Sequence, residues 1–170
     1  MQASPLVSII MGSTSDLPIM EKAAARLDAL GISFEMLALS AHRTPREVEE
    51  FATTAKERGV KVIIGAAGMA AHLCGVIASM TSIPVIGVPI KASLEGVDAL
   101  YSMVQMPPGI PVATVGINAA ENAALLAVQM MATSDEELYR RLEAYKESLK
   151  EKVVKANREL AEVKFEHKTN

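Results

Sequence analysis

From Leu6 the chain alternates between two patterns. Short runs rich in Val and Ile, at Leu6–Met11, Ser33–Leu39, Lys61–Gly65, Pro84–Val88 and Val112–Val115, are separated by longer segments with apolar residues every third or fourth position. Short continuous apolar runs suit strands buried on both faces, and the intervening period suits amphipathic helices. The alternation therefore predicts a parallel sheet covered by helices on both sides. Between the first two runs, Met20, Ala23, Ala24, Leu27 and Leu30 share one helical face, with Pro18 near the start and Gly31 at the stop. Thr44-Pro45-Arg46-Glu47 reads as a capping box with proline at the first helical position, followed by Val48, Phe51, Ala52 and Ala55 and closed by Gly59. Further helices are expected from about Met69–Ala71, over Asp98–Met106 and over Ala119–Ala132, the last built from small residues suited to close packing.

The final segment is different in kind. From Ser134, with Glu137 completing a second capping box, Leu138, Leu142, Tyr145, Leu149, Val153, Ala156, Leu160 and Val163 step through an otherwise charged helix. About 30 helical residues would span roughly 45 Å, longer than a domain of this size, so part of the helix is expected to rest on another subunit. The expected fold class is α/β: a three-layer αβα arrangement around a flavodoxin- or Rossmann-like parallel sheet, with a long C-terminal helix.

Composition narrows the setting. At 170 residues, half of them hydrophobic and 22% charged, the chain is expected to form one domain over 1–170, with its core at about 6–132 and an oligomerisation helix at about 134–165. A net charge of −3 gives no broad electrostatic footprint for nucleic acid or an anionic membrane. Cys74 is the single cysteine and cannot form an internal disulfide. The opening MQASPLVSII has neither a basic region nor an apolar run sufficient for a secretory signal, so a cytoplasmic protein is expected. The apolar stretch Val62–Ala71 stops at His72, well short of the roughly 20 residues needed to span a bilayer, so no membrane partner is expected.

Ligands of open parallel sheets bind where the loops leave the carboxyl ends of the strands. Three such loops are rich in polar or small residues: Gly12–Asp16 (GSTSD), Ser40–Pro45 (SAHRTP) and Gly65–Leu73 (GAAGMAAHL). Each is expected to open a helix, presenting free backbone N–H groups and a favourable dipole to an anion. Arg43 can pair with phosphate oxygens, Ser13, Ser15 and Ser40 can donate hydroxyl bonds, and Asp16 can accept from ribose hydroxyls. Taken alone, GSTSD reads equally as turn and N-cap chemistry. Gly12, Gly65, Gly68 and Gly75 spell neither a dinucleotide fingerprint nor a Walker loop, which disfavours NAD and ATP, and no His or Cys cluster has metal-ligand spacing. His42, between Ser40 and Arg43 in a capped loop, is the candidate general acid–base. His72 admits a structural or a functional reading, His167 lies in the tail, and Cys74 and the ten methionines read as packing. The residues alone thus point to an α/β domain that binds a small phosphorylated molecule.

The motifs MGSTSD, SAHRTP, AAHL, GVPI, YSMVQMPPGIPVATVGIN and NAALLA occur in order between about residues 6 and 165, and together they resemble the class I N5-carboxyaminoimidazole ribonucleotide mutase family of purine biosynthesis. The resemblance implies conversion of that ribotide to 4-carboxyaminoimidazole ribonucleotide without metal, ATP or organic cofactor. It also implies a homo-octamer and a functional link to an ATP-dependent N5-carboxyaminoimidazole ribonucleotide synthetase. By the same resemblance His42 is the catalytic residue, Ser13 and Asp16 take the ribose end, and Ser15, Ser40 and Arg43 surround the 5′-phosphate. Gly12 and Ala41 belong to the same substrate site, and Gly68, Ala71, His72 and Leu73 line its carboxylate and base end. The chain departs from the family's usual GGAAHLPG at Met69 and Cys74, which leaves the shape of the third loop open. The alternatives are a class II carboxylase that uses aminoimidazole ribonucleotide and CO₂ directly, disfavoured by Arg43 and by Ala71-His72-Leu73, and a non-catalytic binding module on the same sheet.

Overall fold

The structure is a computed structural model describing residues 4–170; Met1–Ala3 of the expected domain lie outside the described residues. Five strands, β1 (Val7–Met11), β2 (Phe34–Ala38), β3 (Val62–Gly68), β4 (Val85–Ile90) and β5 (Ala113–Thr114), form one sheet in the order β2-β1-β3-β4-β5, with every pair parallel. The helices are α1 (Leu17–Ala29), α2 (Pro45–Thr54), α3 (Leu73–Met80), α4 (Val97–Val104), α5 (Ala120–Ala132) and α6 (Glu136–Ala161). This is the expected α/β architecture, a doubly wound sheet whose order reverses between β1 and β3.

The hydrophobic pattern dictates the layers. On one face Ile9, Ile64 and Ile86 meet Met20, Ala23 and Leu27 of α1 and the alanine-rich side of α5; on the other, Ile10 and Ile63 meet Val48 and Phe51 of α2, Ile77 of α3 and Met103 of α4. Gly31, at φ 70°, closes α1 as its position after Leu30 predicts, and its N–H donates to the Asp28 carbonyl. No helix among the described residues is long and apolar enough to cross a membrane.

Three boundaries differ from the expectation for physical reasons. β3 does not stop at Gly65: Ala66 pairs with Met11 on one side and Val88 on the other, Ala67 with Pro89, and Gly68 with Ile90. Helix α3 accordingly starts at Leu73 rather than near Met69–Ala71. Neither capping box forms. The Thr44 hydroxyl is drawn back into its own loop, accepting from Ser40 N–H at 2.9 Å and donating to the Ser40 carbonyl at 3.1 Å, while α6 is capped by Asp135, whose carboxylate accepts from Glu137 and Leu138 N–H.

Helix α6 has 26 residues, about 39 Å at the standard rise. Leu138 and Leu142 are buried, and at about 1.5–3 kcal/mol each they dock its first two turns. Arg26 then grips the helix: its guanidinium donates to Glu121 Oε1 at 2.6 Å and lies 4.2 Å from the centre of the Tyr145 ring. That hydrogen bond from Arg26 is the main reason the Glu121 carboxyl is held below its usual range. Beyond Tyr145 the predicted stripe is uncovered, with Leu149, Val153 and Leu160 all exposed.

The tightest approach inside the sheet is at Gly65. A Cβ there would stand 2.6 Å from Cys74 Sγ, whose thiol donates to the Gly65 carbonyl at 3.3 Å. Gly65→Ala is expected to cost about 1–3 kcal/mol. In urea denaturation, adding Cys74→Ala should recover part of that loss, and strictly additive effects would refute the contact.

Candidate active site

The strand order brings three loops to one edge. β1 lies between β2 and β3, so the loops after these three strands open side by side at their carboxyl ends, where the order reverses. They enclose a cavity of about 440 Å³ lined by Gly12, Ser13, Ser15 and Asp16 from the first loop, Ser40, Ala41, His42 and Arg43 from the second, and Ala67, Gly68, Met69, Ala70 and Leu73 from the third. A wider cavity of about 700 Å³ lies apart from these loops, between Ala78–Val85 and Gly109–Pro111.

Each loop is held by its own hydrogen bonds. In the first, Ser13 caps a single 3-10 turn over Thr14–Asp16: its hydroxyl accepts from Ser15 N–H at 3.3 Å, and its carbonyl accepts from Asp16 N–H at 3.1 Å. The Ser15 hydroxyl has one hydrogen for two acceptors, Ser13 Oγ at 2.9 Å and Asp16 Oδ1 at 3.3 Å. In the second, Thr44 N–H donates to the Ser40 carbonyl at 2.8 Å, which with the Thr44 hydroxyl closes a compact ring. In the third, His72 N–H donates to the Ala70 carbonyl at 2.9 Å, and Met69 turns the chain at φ 53°.

Two side-chain bonds tie the loops to one another. Arg43 Nη2 donates to the Gly12 carbonyl at 2.6 Å, and its Nε donates to Ser40 Oγ at 3.3 Å, so the guanidinium is fixed at the junction of the first two loops. His42 Nε2 lies 3.0 Å from His72 Nδ1, with the rings 82° apart, joining the second loop to the third. This pairing was not foreseen, because residues 30 apart in sequence carry no local signal of contact. It sets the His72 ring against His42, next to the cavity.

Of the residues singled out in the sequence, Gly12, Ser13, Ser15, Asp16, Ser40, Ala41, His42, Arg43, Gly68 and Leu73 line the cavity. Ala71 does not: it is fully buried in the core beneath α3. His72 reaches the site through His42 rather than through the cavity wall. Ala92, from the loop after β4, was missed, because β4 extends to Ile90 and carries its following loop up to the edge. Cys74 is buried and its thiol is pushed up to about 12 by that burial, which suits packing and not nucleophilic chemistry. Among the described residues no cluster of His, Cys, Asp and Glu is placed to hold a metal ion.

A family model described as AIR carboxylase matches residues 6–152. Over 147 residues, 86% of this chain and 84% of the relative, the chain is 56% identical to the N5-carboxyaminoimidazole ribonucleotide mutase of Pyrococcus abyssi. It is 49% identical to the protein of the same name from Thermotoga maritima across 98% of both chains. Among solved structures, Treponema denticola PurE is similar with a TM-score of 0.82 and 34% identity, over 92% of this chain and 98% of that one.

Asp16 carries the main electrostatic tension of the site. It is only 7% exposed, and burial raises its carboxyl above the ordinary 3.8, opposed by the hydrogen bonds from Ser15 and within the Ser13 turn. An acid whose folded pKa lies above its unfolded one lowers stability when both states are ionised, and the penalty fades as pH falls through the folded value. Asp16→Asn is therefore expected to raise stability near neutral pH, with the gain lost below about pH 3.8. Chemical denaturation of both proteins across that range checks the sign; a gain that persists in acid would show another cause.

Proposed function

The chain belongs to the AIR carboxylase family, and on that premise we propose that the cavity between its first three loops binds a phosphorylated ribotide and moves a carboxylate on it. The chain catalyses the mutase reaction, converting N5-carboxyaminoimidazole ribonucleotide to 4-carboxyaminoimidazole ribonucleotide, an isomerisation in purine biosynthesis. The observation that carries the assignment of this cavity is that His42 lines it together with the bonded Ser40–Arg43 pair and faces a second imidazole, His72.

In this reading the 5′-phosphate sits against Arg43, Ser15 and Ser40, where a fixed guanidinium and two hydroxyls favour an anion. Asp16 and Ser13 take the ribose, and the small residues Ala67, Gly68 and Ala70 at the end of β3 and just beyond admit the imidazole base. As the N5–carboxylate bond breaks, its electron pair stays on N5, which takes a proton from His42 while CO₂ is released. C4 then attacks the CO₂, and the C4 proton returns to His42, so the enzyme ends each cycle in its starting state. Only one hydrogen fits between the two facing ring nitrogens. If His42 Nε2–H donates to His72 Nδ1, the bond persists whether His42 is imidazole or imidazolium, and Nδ1 remains for proton exchange. No cofactor enters this scheme. A cytoplasmic setting and a functional link to an ATP-dependent synthetase of the substrate complete the proposal.

The uncovered stripe on α6 supports assembly. Leu149, Val153 and Leu160 are exposed beyond the two turns docked on the parent domain, as a helix reaching a neighbouring subunit in a homo-octamer requires. Deleting the residues after Leu149 is expected to lower the sedimentation coefficient to that of a smaller species; an unchanged profile would remove α6 from the interface.

His42→Asn is expected to leave ribotide affinity near that of the parent protein while lowering turnover of N5-carboxyaminoimidazole ribonucleotide by about 10²–10⁴-fold. Calorimetric binding alongside a continuous absorbance assay separates the two effects. Full activity of the variant would exclude His42 as the acid–base. Turnover by the parent protein of aminoimidazole ribonucleotide and CO₂ alone, with N5-carboxyaminoimidazole ribonucleotide unused, would point to a carboxylase instead.

A further inference from the structure

Met69 is unfavourable in two ways, and neither serves the fold. Its backbone stands at φ 53°, in the left-handed region where Cβ crowds the carbonyl oxygen. Its apolar side chain is 60% exposed. Asn118 shares the conformation but turns its Oδ1 onto Lys91 N–H, a local reason for the strain. Leu94 and Glu95 share it in the loop after β4, away from the cavity wall. Met69 alone among these residues lines the cavity.

The backbone around it explains how the side chain is held there. A Cβ on Gly68 would stand 3.0 Å from Ala92 Cβ and 3.3 Å from the Ile90 carbonyl, so the chain leaves β3 pressed against the end of β4. The left-handed step at Met69 follows at once, and the same turn carries His72 to its contact with His42. Beside Met69 the cavity wall is built from small and apolar groups, Ala67, Gly68, Ala70 and Leu73, with Ala92 from the loop after β4. A strained backbone that persists at a site edge, holding an apolar group where glycine would be free of strain, points to a role in the site.

We propose that Met69 shields the released CO₂ from water during carboxylate transfer. The proposal rests on the mutase reading above. Between the two steps the carboxyl carbon is a neutral, apolar molecule that must be attacked by C4 before it escapes or is hydrated. A flexible thioether at the rim packs over such a molecule and keeps water out, where glycine would leave an opening and a polar side chain would draw water in.

The test is retention of label. The full-length parent protein and Met69→Gly, Met69→Gln and Met69→Leu are each given N5-carboxyaminoimidazole ribonucleotide carrying a ¹³C carboxylate, with unlabelled bicarbonate in excess, and the product carboxylate is read by NMR. The parent and Met69→Leu should keep the label. Met69→Gly and Met69→Gln should lose it severalfold more and release free aminoimidazole ribonucleotide. Met69→Gln keeps the length and the backbone strain, so it isolates polarity, while the melting temperature of Met69→Gly should be equal to or above the parent's. Equal retention in the parent and both disruptive variants, with labelled product still formed, overturns the role of Met69 and leaves the mutase reading standing. Absence of labelled product from the parent overturns both.

Discussion

The site depends on two bonds that cross between loops: Arg43 to the Gly12 carbonyl and His42 to His72. Neither holds the core together, since both sit at the exposed edge of the sheet. They make three separate loops into one wall. Each is possible only because β1 is flanked by β2 and β3, so that the ends of all three strands emerge within side-chain reach. The guanidinium is fixed before any ligand arrives, which reduces the side-chain entropy lost on binding an anion. Fixing it in this way leaves Arg43 as both a brace for the first loop and the cation of the cavity wall.

The division between what the sequence shows and what it hides follows the range of the interactions. Val- and Ile-rich runs and three-four spacing made the strands and helices legible, because those patterns record burial on a sheet or a helix face. The three loops that line the cavity were legible for the same reason, being the polar or small-residue interruptions between such elements. Boundaries were less so. Ala66 and Ala67 look like loop residues, yet they are strand because β1 and β4 offer partners on both sides. Thr44-Pro45-Arg46-Glu47 satisfies the capping-box pattern, but the Thr44 hydroxyl finds two partners on Ser40, and this tightens the loop that carries His42.

Contacts between distant residues were not legible at all. Nothing in the spacing of His42 and His72 announces a bond, and Ala71, placed by resemblance at the substrate, is turned into the core by the late start of α3. Met69 is the complementary case. Its departure from glycine is visible in the sequence, but only the positive φ and the exposed thioether on the cavity wall show that the substitution is borne at a strained position.

In the proposed function a single ribotide site spans the three loops. Hydrogen-exchange mass spectrometry with and without aminoimidazole ribonucleotide tests it most directly, in whatever assembly the protein adopts. Protection on binding should appear together in peptides covering Gly12–Asp16, Ser40–Thr44 and Gly68–Leu73, and be absent from the wider cavity at Ala78–Val85 and Gly109–Pro111. Protection confined to that wider cavity, or to one of the three loops alone, would contradict the account.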